Sequence, residues 1–232
     1  MAASCHQFCP VAKAMELLDE RWTLLVIREL LSGSRHFNDL RRGLPRMSPS
    51  LLSKRLDQLT RAGLVERDRT GREVIYTVTR AGEELRPAVE LIGAWGMRRT
   101  GELGDVDLDP QLLMWDLHRN VDLATVPAGT TVVHFEFLDQ PGRRRRWWMV
   151  LTPAEVDVCD VDPGHEVGAT VTGTLRDLVT IWRGDRSWAE SLRSGMVTLV
   201  GIDAVRRSVP LWFRPGNFAA VPRPGSEPVL VA

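Results

Sequence analysis

Apolar residues recur at helical spacing from the start of the chain. After Cys9-Pro10, where proline suits a first helical position, Val11, Ala14, Met15 and Leu18 fall at i, i+3, i+4 and i+7 and predict an amphipathic helix. Beyond the polar break Asp19-Glu20-Arg21, residues 22–31 are apolar nearly all round and stop at Gly33, the pattern of a central helix buried by its neighbours. A short segment over 37–42 closes at Gly43 and Pro45. Ser48-Pro49 is the clearest local signal: the serine can cap free backbone N–H groups and the proline occupies the first turn without losing a hydrogen bond. A helix over 49–62 follows, with Leu52, Leu56 and Leu59 on one side, Ser50, Ser53, Lys54, Asp57 and Arg61 mainly elsewhere, and Gly63 as its stop. Residues 64–69 and 74–79 read as strands joined by Thr70-Gly71-Arg72-Glu73, a β-hairpin. A last helix over 79–99 carries the stripe Leu85, Ala88, Val89, Ile92 and Trp95.

Helix, helix, turn, helix and hairpin in this order describe a winged helix. A helix fits a major groove about 12 Å wide, and an arginine-rich hairpin reaches the adjacent minor groove or backbone. Arg67, Arg69 and Arg72 are the wing candidates; singly, each is as well explained as a solvated surface charge, and the ordered combination carries the inference.

The residues CPVAKAMELLDERWTLLVIRELLSGSRHFNDLRRGLPRMSPSLLSKRLDQLTRAGLVERD closely resemble the HxlR-type winged-helix regulators, relatives of the MarR repressors, and the likeness covers about 5–98. Its markers are the C-P-V start, the tryptophan of the second helix, the F-x-x-L-R helix, the I/M-S-P-x-x-L-x-x-R-L recognition helix and the A-G-L-V-x-R lead into the wing. The wing itself, TGREVIYTVT, is shorter than is usual in that family and lacks its prolines. The resemblance implies binding to double-stranded DNA, with Arg41, Arg46, Ser48, Ser50, Ser53, Lys54 and Arg55 at or beside the recognition helix and Arg67, Arg69 and Arg72 in the wing. It also implies a homodimer, because an inverted repeat needs two recognition helices about one helical turn apart. The stripe on 79–99 is the expected dimer face; packing against its own domain is the other reading of the same residues.

A polar, glycine-containing stretch, GELGDVDLDP, separates this half from a second patterned region, giving the expected organisation 1–99 winged helix, 100–110 linker, 111–220 second domain and 221–232 tail. The second region reads as α+β. Residues 111–118 suit a helix, 131–139 alternate with Val133, Phe135 and Phe137 on one face, and 147–151 and 156–161 are further strands. The run Arg143 to Arg146 falls in a hairpin turn, where a solvated loop is the expected role. Thr174-Leu-Arg-Asp177 and Ser187-Trp-Ala-Glu190 are capping boxes opening two helices, 196–200 is a strand, and 203–213 is a helix interrupted at Pro210. The order of elements over 106–216, with LVTIWRGD, LRSGMVTLVG and VPLWF, resembles the sterol-carrier-protein-like domain, a sheet covered by helices around an apolar tunnel. The fold class expected for the whole chain is therefore α+β, a winged helix-turn-helix followed by a sterol-carrier-like domain. A tunnel would draw on Phe135, Phe137, Trp147, Met149, Leu178, Trp182, Met196 and Trp212; the alternative is that these residues fill a solid core.

Composition sharpens the division between halves. The 232 residues are formally neutral, yet 1–99 hold 17 Lys and Arg against 12 Asp and Glu, and 100–232 hold 13 against 18. Only the first half has the charge to meet a polyanion. Six of the eight tryptophans lie in the second half, at 115, 147, 148, 182, 188 and 212. No apolar run approaches the roughly 20 residues that cross a bilayer, and MAASCHQFCP has no signal-peptide pattern, so the expected compartment is the cytoplasm, away from membranes.

Three cysteines, Cys5, Cys9 and Cys159, are too few and scattered for a disulfide framework. Cys9 sits at a predicted helix N-terminus, whose dipole favours negative charge on sulfur, and proteins similar to this one sometimes sense oxidants or aldehydes through the cysteine of the C-P-V motif. A small buried hydrophobe and helix cap is the competing role. Cys5, His6 and Cys9 lack a fourth ligand for a metal, and no metal or cofactor is expected. The chain has no G-x-S-x-G, P-loop, H-E-x-x-H or Rossmann glycine pattern, and its five histidines do not cluster with a nucleophile, so an enzyme is not expected. The expected function is transcriptional regulation, with repression as its direction, answering to a small apolar ligand in the second domain or to thiol modification at Cys9. The alternative is a lipid carrier or structural oligomer whose winged helix mediates protein contacts.

Overall fold

The computed structural model describes residues 5–101 and 103–223, and the chain divides by packing into two units, Met1–Gly93 and Ala94–Ala232. The expected tail lies outside the described residues from 224 on, as does Glu102 within the expected linker. Among the described residues no helix is long and apolar enough to cross a membrane.

In the first unit the helical periodicities become α1 (Pro10–Leu18), α2 (Thr23–Leu31), α3 (Phe37–Gly43) and α4 (Pro49–Arg61). The hairpin becomes β1 (Val65–Thr70) paired antiparallel with β2 (Glu73–Val78), Val65 opposite Val78. Leu18, Val26, Ile27, Leu30, Leu40, Leu52, Leu56 and Leu59 meet in one core, at about 1.5–3 kcal/mol for each large apolar side chain withdrawn from water. Trp22, expected inside the second helix, instead precedes it with φ +78°, and the Arg21 guanidinium lies 5.3 Å from its ring centroid. The wing gains an edge that the sequence did not announce: Tyr76 N donates to Arg35 O at 2.9 Å, and His36 bridges to Ile75.

Two close contacts set the angles within this unit. Gly43 ends α3 where the buried Glu29 carboxylate of α2 arrives; a Cβ there would lie 1.9 Å from Oε2. Glu29 is held by Arg28 at 2.6 Å and by the Ser34 hydroxyl at 3.3 Å, and Arg28 also donates to Gly43 O at 3.2 Å. The single helix expected over 79–99 is two, α5 (Arg80–Glu83) and α6 (Arg86–Arg99). Thr79 Oγ1 accepts from Gly82 N at 3.2 Å and donates to Gly63 O at 2.7 Å, which fixes α5 to the end of α4. Pro87 has no N–H with which to continue the ladder into α6.

In the second unit α7 (Pro110–Arg119) starts on Asp109, whose carboxylate accepts from Leu112 N at 3.1 Å. The strands β3 (Thr131–Phe137), β4 (Arg146–Leu151), β5 (Val156–Cys159), β6 (Val167–Gly173) and β7 (Thr198–Gly201) form one sheet in the order β5-β4-β3-β6-β7. All neighbours run antiparallel except β3 and β6, the parallel pair at its centre. The sequence reading had no strand over 167–173. Its glycines hide it, and both serve close approaches: a Cβ on Gly168 would lie 3.2 Å from Val205, and one on Gly173 would lie 3.1 Å from Met196 O.

Both expected capping boxes form. Thr174 and Asp177 exchange bonds of 3.1 Å at the start of α8 (Leu175–Trp182). Ser187 and Glu190 do so at 2.9 and 3.2 Å at the start of α9 (Trp188–Arg193), and the Ser187 amide and hydroxyl hold the Glu190 carboxyl below its ordinary range. The last helix, α10 (Asp203–Trp212), continues through Pro210 to Trp212, with the loss of one backbone N–H donor in its final turn. Of the arginine run 143–146, the first three residues lie in a 3-10 turn and Arg146 opens β4, with Arg145 paired to Glu136 at 3.0 Å and Arg144 near Asp109 at 3.8 Å.

Candidate nucleic-acid interface

The spacing of apolar residues along α4 decides which of its faces remains free. Leu52, Leu56 and Leu59 turn into the core with Arg55, which leaves Ser50, Ser53, Lys54, Asp57 and Arg61 exposed on one continuous side. The helix is anchored at its start by Ser48, whose Oγ accepts from Leu51 N at 3.3 Å and lies 3.3 Å from Ser50 Oγ. Arg41 in the last turn of α3 and Arg46 before the cap are both exposed. Arg67 and Arg69 are exposed on β1, and Arg72 is exposed in the turn beside Gly71, which takes φ +64°.

Electrostatics along this surface favour an anion despite Asp57. The Asp57 carboxylate lies 3.5 Å from the Arg67 guanidinium, which also sits 6.0 Å from the Tyr76 ring centroid, so the one acid of the exposed helix face carries its own counter-charge. Lys54 and Arg61 then add uncancelled positive charge on the same side. Arg61, whose Nε donates to Asp57 O at 3.2 Å, was not among the sequence candidates; its position at i+7 from Lys54 was the signal that could have found it.

Arg55 must be withdrawn from the DNA-facing set. It is 5% exposed, forms an ion pair with Glu20, and donates from Nε to Arg21 O at 3.1 Å and from Nη1 to Gln58 Oε1 at 2.6 Å. Its guanidinium ties α4 to the turn between α1 and α2 and has no remaining reach towards a groove.

The residues named for an apolar tunnel also sort differently in three dimensions. Phe135, Phe137 and Met149 have 0% accessible surface, so they line no void that admits even a water molecule. With Trp147, Leu178 and Trp212 they belong to one packed cluster, in which Phe135 meets Phe213 edge-on at 5.1 Å. Met196 is exposed and its sulfur meets the Arg186 guanidinium at the surface. Trp182 is half-buried over Gly216, whose N donates to Trp182 O at 2.7 Å. One open pocket of this unit, about 430 Å³, is lined by other residues, on the side of α8 that carries Arg176, Val179, Thr180 and Arg183.

Cys9 is the residue before the first turn of α1, with extended φ and ψ and a half-buried thiol that makes no capping hydrogen bond. Cys5 is exposed, and its N donates to Glu16 Oε1 at 2.9 Å, which folds the leading segment back along α1. Among the described residues no group of three His, Cys, Asp or Glu is placed to hold a metal.

A capped recognition helix with a free polar face, followed by an arginine-bearing hairpin, defines the winged helix-turn-helix transcriptional regulators, relatives of the MarR group. Residues 17–103 match the HxlR-like helix-turn-helix family. The HTH-type transcriptional regulator YvaP of Bacillus subtilis (strain 168) is 36% identical over 93 residues, 38% of this chain and 86% of that protein. YodB of the same organism, an HTH-type transcriptional regulator, is 34% identical over 94 residues, 39% of this chain and 84% of its own length. The solved reduced form of YodB shares 32% identity over 39% of this chain and 92% of that one, with a TM-score of 0.35. Other relatives are spanned over 62% and 56% of their lengths. The chain belongs to the HxlR-like helix-turn-helix family. It is a DNA-binding transcriptional regulator of α+β architecture, and the family match ends near the start of the second unit.

Proposed function

We propose that this protein is a repressor that binds an inverted repeat as a homodimer and releases it in response to a small molecule held by the second unit or to thiol modification at Cys9. The observation that carries the proposal is the free face of α4: Ser50, Ser53, Lys54 and Arg61 are exposed together on a helix whose opposite side is locked into the core. Ser48, Arg41 and Arg46 flank it, and Arg67, Arg69 and Arg72 supply the wing. Polar side chains at this spacing can meet base edges, while the arginines meet phosphates and set the register.

A second copy is supported by α6. Its Val89, with Leu85 just before it, packs on the first unit's core, whereas Leu91, Ile92 and Trp95 are left exposed. Phe8, Val11 and Met15 around α1 are exposed as well. Apolar residues in that number are costly on a free surface and suit an interface between copies.

Selection from random-sequence duplexes with the full chain tests the proposal. The expected product is an inverted repeat with half-site centres about 10 base pairs apart, bound with an affinity that falls steeply with salt as fewer counterions are released. Enrichment of no sequence, with salt-independent behaviour, would return the winged helix to a protein-contact role.

A further inference from the structure

The face of α8 turned away from the core borders a cavity of about 430 Å³, a size ordinary for small-molecule sites. Its apolar wall is Leu103, Leu108 and Val179; its polar wall is Arg176, Arg183, Arg223 and Asp185. All lie within the second unit.

Among the described residues the charges here do not balance. Arg183 is 8% exposed and Asp185 Oδ2 lies 3.0 Å from its Nε, yet the N–H is not directed at that oxygen and Nε makes no hydrogen bond. Asp185 is shared, since its Oδ1 also pairs with Arg223. Arg223 donates from Nη2 to Arg183 O, and its Nη1 lies 3.1 Å from Met97 Sδ at the C-terminal end of α6. Arg176 donates to Leu103 O at 2.9 Å and to Asp105 Oδ1 at 2.6 Å. Three guanidiniums thus meet two carboxylates, Asp185 and Asp105, among the described residues. A guanidinium buried with only half a counter-charge lowers its free energy by taking an anion, and the flat fork of arginine matches a carboxylate.

We propose that this pocket binds a monoanionic carboxylate with an apolar body, its head between Arg183 and Arg176 and its hydrocarbon against Leu103, Leu108 and Val179. The single positive charge in excess among the described residues favours a monoanion over a doubly charged phosphate, and the apolar wall favours a hydrocarbon over a sugar. The contact of Arg223 with Met97 lies in the part of α6 that belongs to the second unit. This inference deepens the reading of the second unit as effector-binding.

Calorimetric titration of the full chain with octanoate, and with 1-octanol as its uncharged counterpart, tests it. Saturable octanoate binding is expected, with octanol at least tenfold weaker. Arg176→Gln, at a side chain 42% exposed and therefore safe for folding, should weaken octanoate at least fivefold with an unchanged melting temperature. Arg183→Gln should remove binding; because it also disturbs a buried group, Arg176→Gln carries the decision. Equal affinity for octanol, an unaffected Arg176→Gln variant, or no saturation up to about 1 mM would overturn the proposal. Octanoate binding by a chain that selects no DNA sequence would leave the pocket standing and remove the regulatory reading instead.

Discussion

Arg55 and Glu20 form an ion pair that fastens the recognition helix to the turn between the first two helices. Lys54, its neighbour in sequence, is exposed to solvent. Adjacent basic residues on α4 therefore have separate roles: one fixes the helix and the other is free to meet a ligand.

That separation is measurable. Arg55→Met should lower stability to urea by about 2–3 kcal/mol, since it leaves the Arg21 carbonyl and the Glu20 carboxylate without their partner. Lys54→Ala should change stability by less than about 0.5 kcal/mol and weaken DNA binding by about 1–3 kcal/mol, with a salt slope shallower by about one unit if it meets a phosphate. Unaltered DNA affinity in Lys54→Ala and Ser53→Ala together would take this helix out of the interface.

The dimer face separates from the core in the same way. Leu91→Glu with Ile92→Glu should yield monomers in sedimentation velocity while the melting of the first unit is kept, because both residues are exposed. Val89, half-buried against that core, would not discriminate, since a charge there disturbs folding first. Retention of the dimer in the double variant would place the interface elsewhere.

For the thiol, Cys9→Ser supplies a hydroxyl at a helix start that has no side-chain cap, so folding should be kept or slightly improved. Diamide should weaken DNA binding by the parent chain and leave the variant unaffected. A variant that still responds would transfer sensing to Cys5 or Cys159, or end the redox reading.

His134 sets a pH dependence in the second unit. Burial holds its pKa below the ordinary histidine value, with Arg146 acting in the same direction and Glu136 and Asp162 opposing. Its ring lies 5.0 Å from Trp148, and Nε2 has no hydrogen-bond partner. The unfolded chain therefore takes up the proton first as pH falls. The stability due to neutral His134 is full above about pH 6.5 and is lost as pH drops through the folded pKa. Denaturant midpoints between pH 7.5 and 5 should fall less in His134→Asn, and parallel curves for the two proteins would contradict this.

Much of the first unit could be read directly from the sequence because its signals are local. Ser48-Pro49 caps a helix wherever it occurs, the leucines of α4 repeat at the helical period, and Gly71 suits a left-handed turn; none of these depends on distant residues. The two capping boxes of the second unit were legible for the same reason. What periodicity could not assign was partnership across the chain. Arg55 and Lys54 are equivalent in the sequence, and only the arrival of Glu20 and the Arg21 carbonyl makes one interior and the other free. The strand β6 was invisible because its glycines gain meaning only when Val205 and Met196 pack against them. The aromatic residues of the second half are equally suited to a tunnel wall or a solid core, and complete burial of Phe135, Phe137 and Met149 decides for the core. The pocket over α8 joins residues from Leu103 to Arg223, a set that no local pattern connects, because its chemistry depends on which charges lie within a few ångströms after folding. The sequence by itself determined the local backbone and the family; tertiary structure decided which charged side chains are bound within the protein and which are left for a ligand.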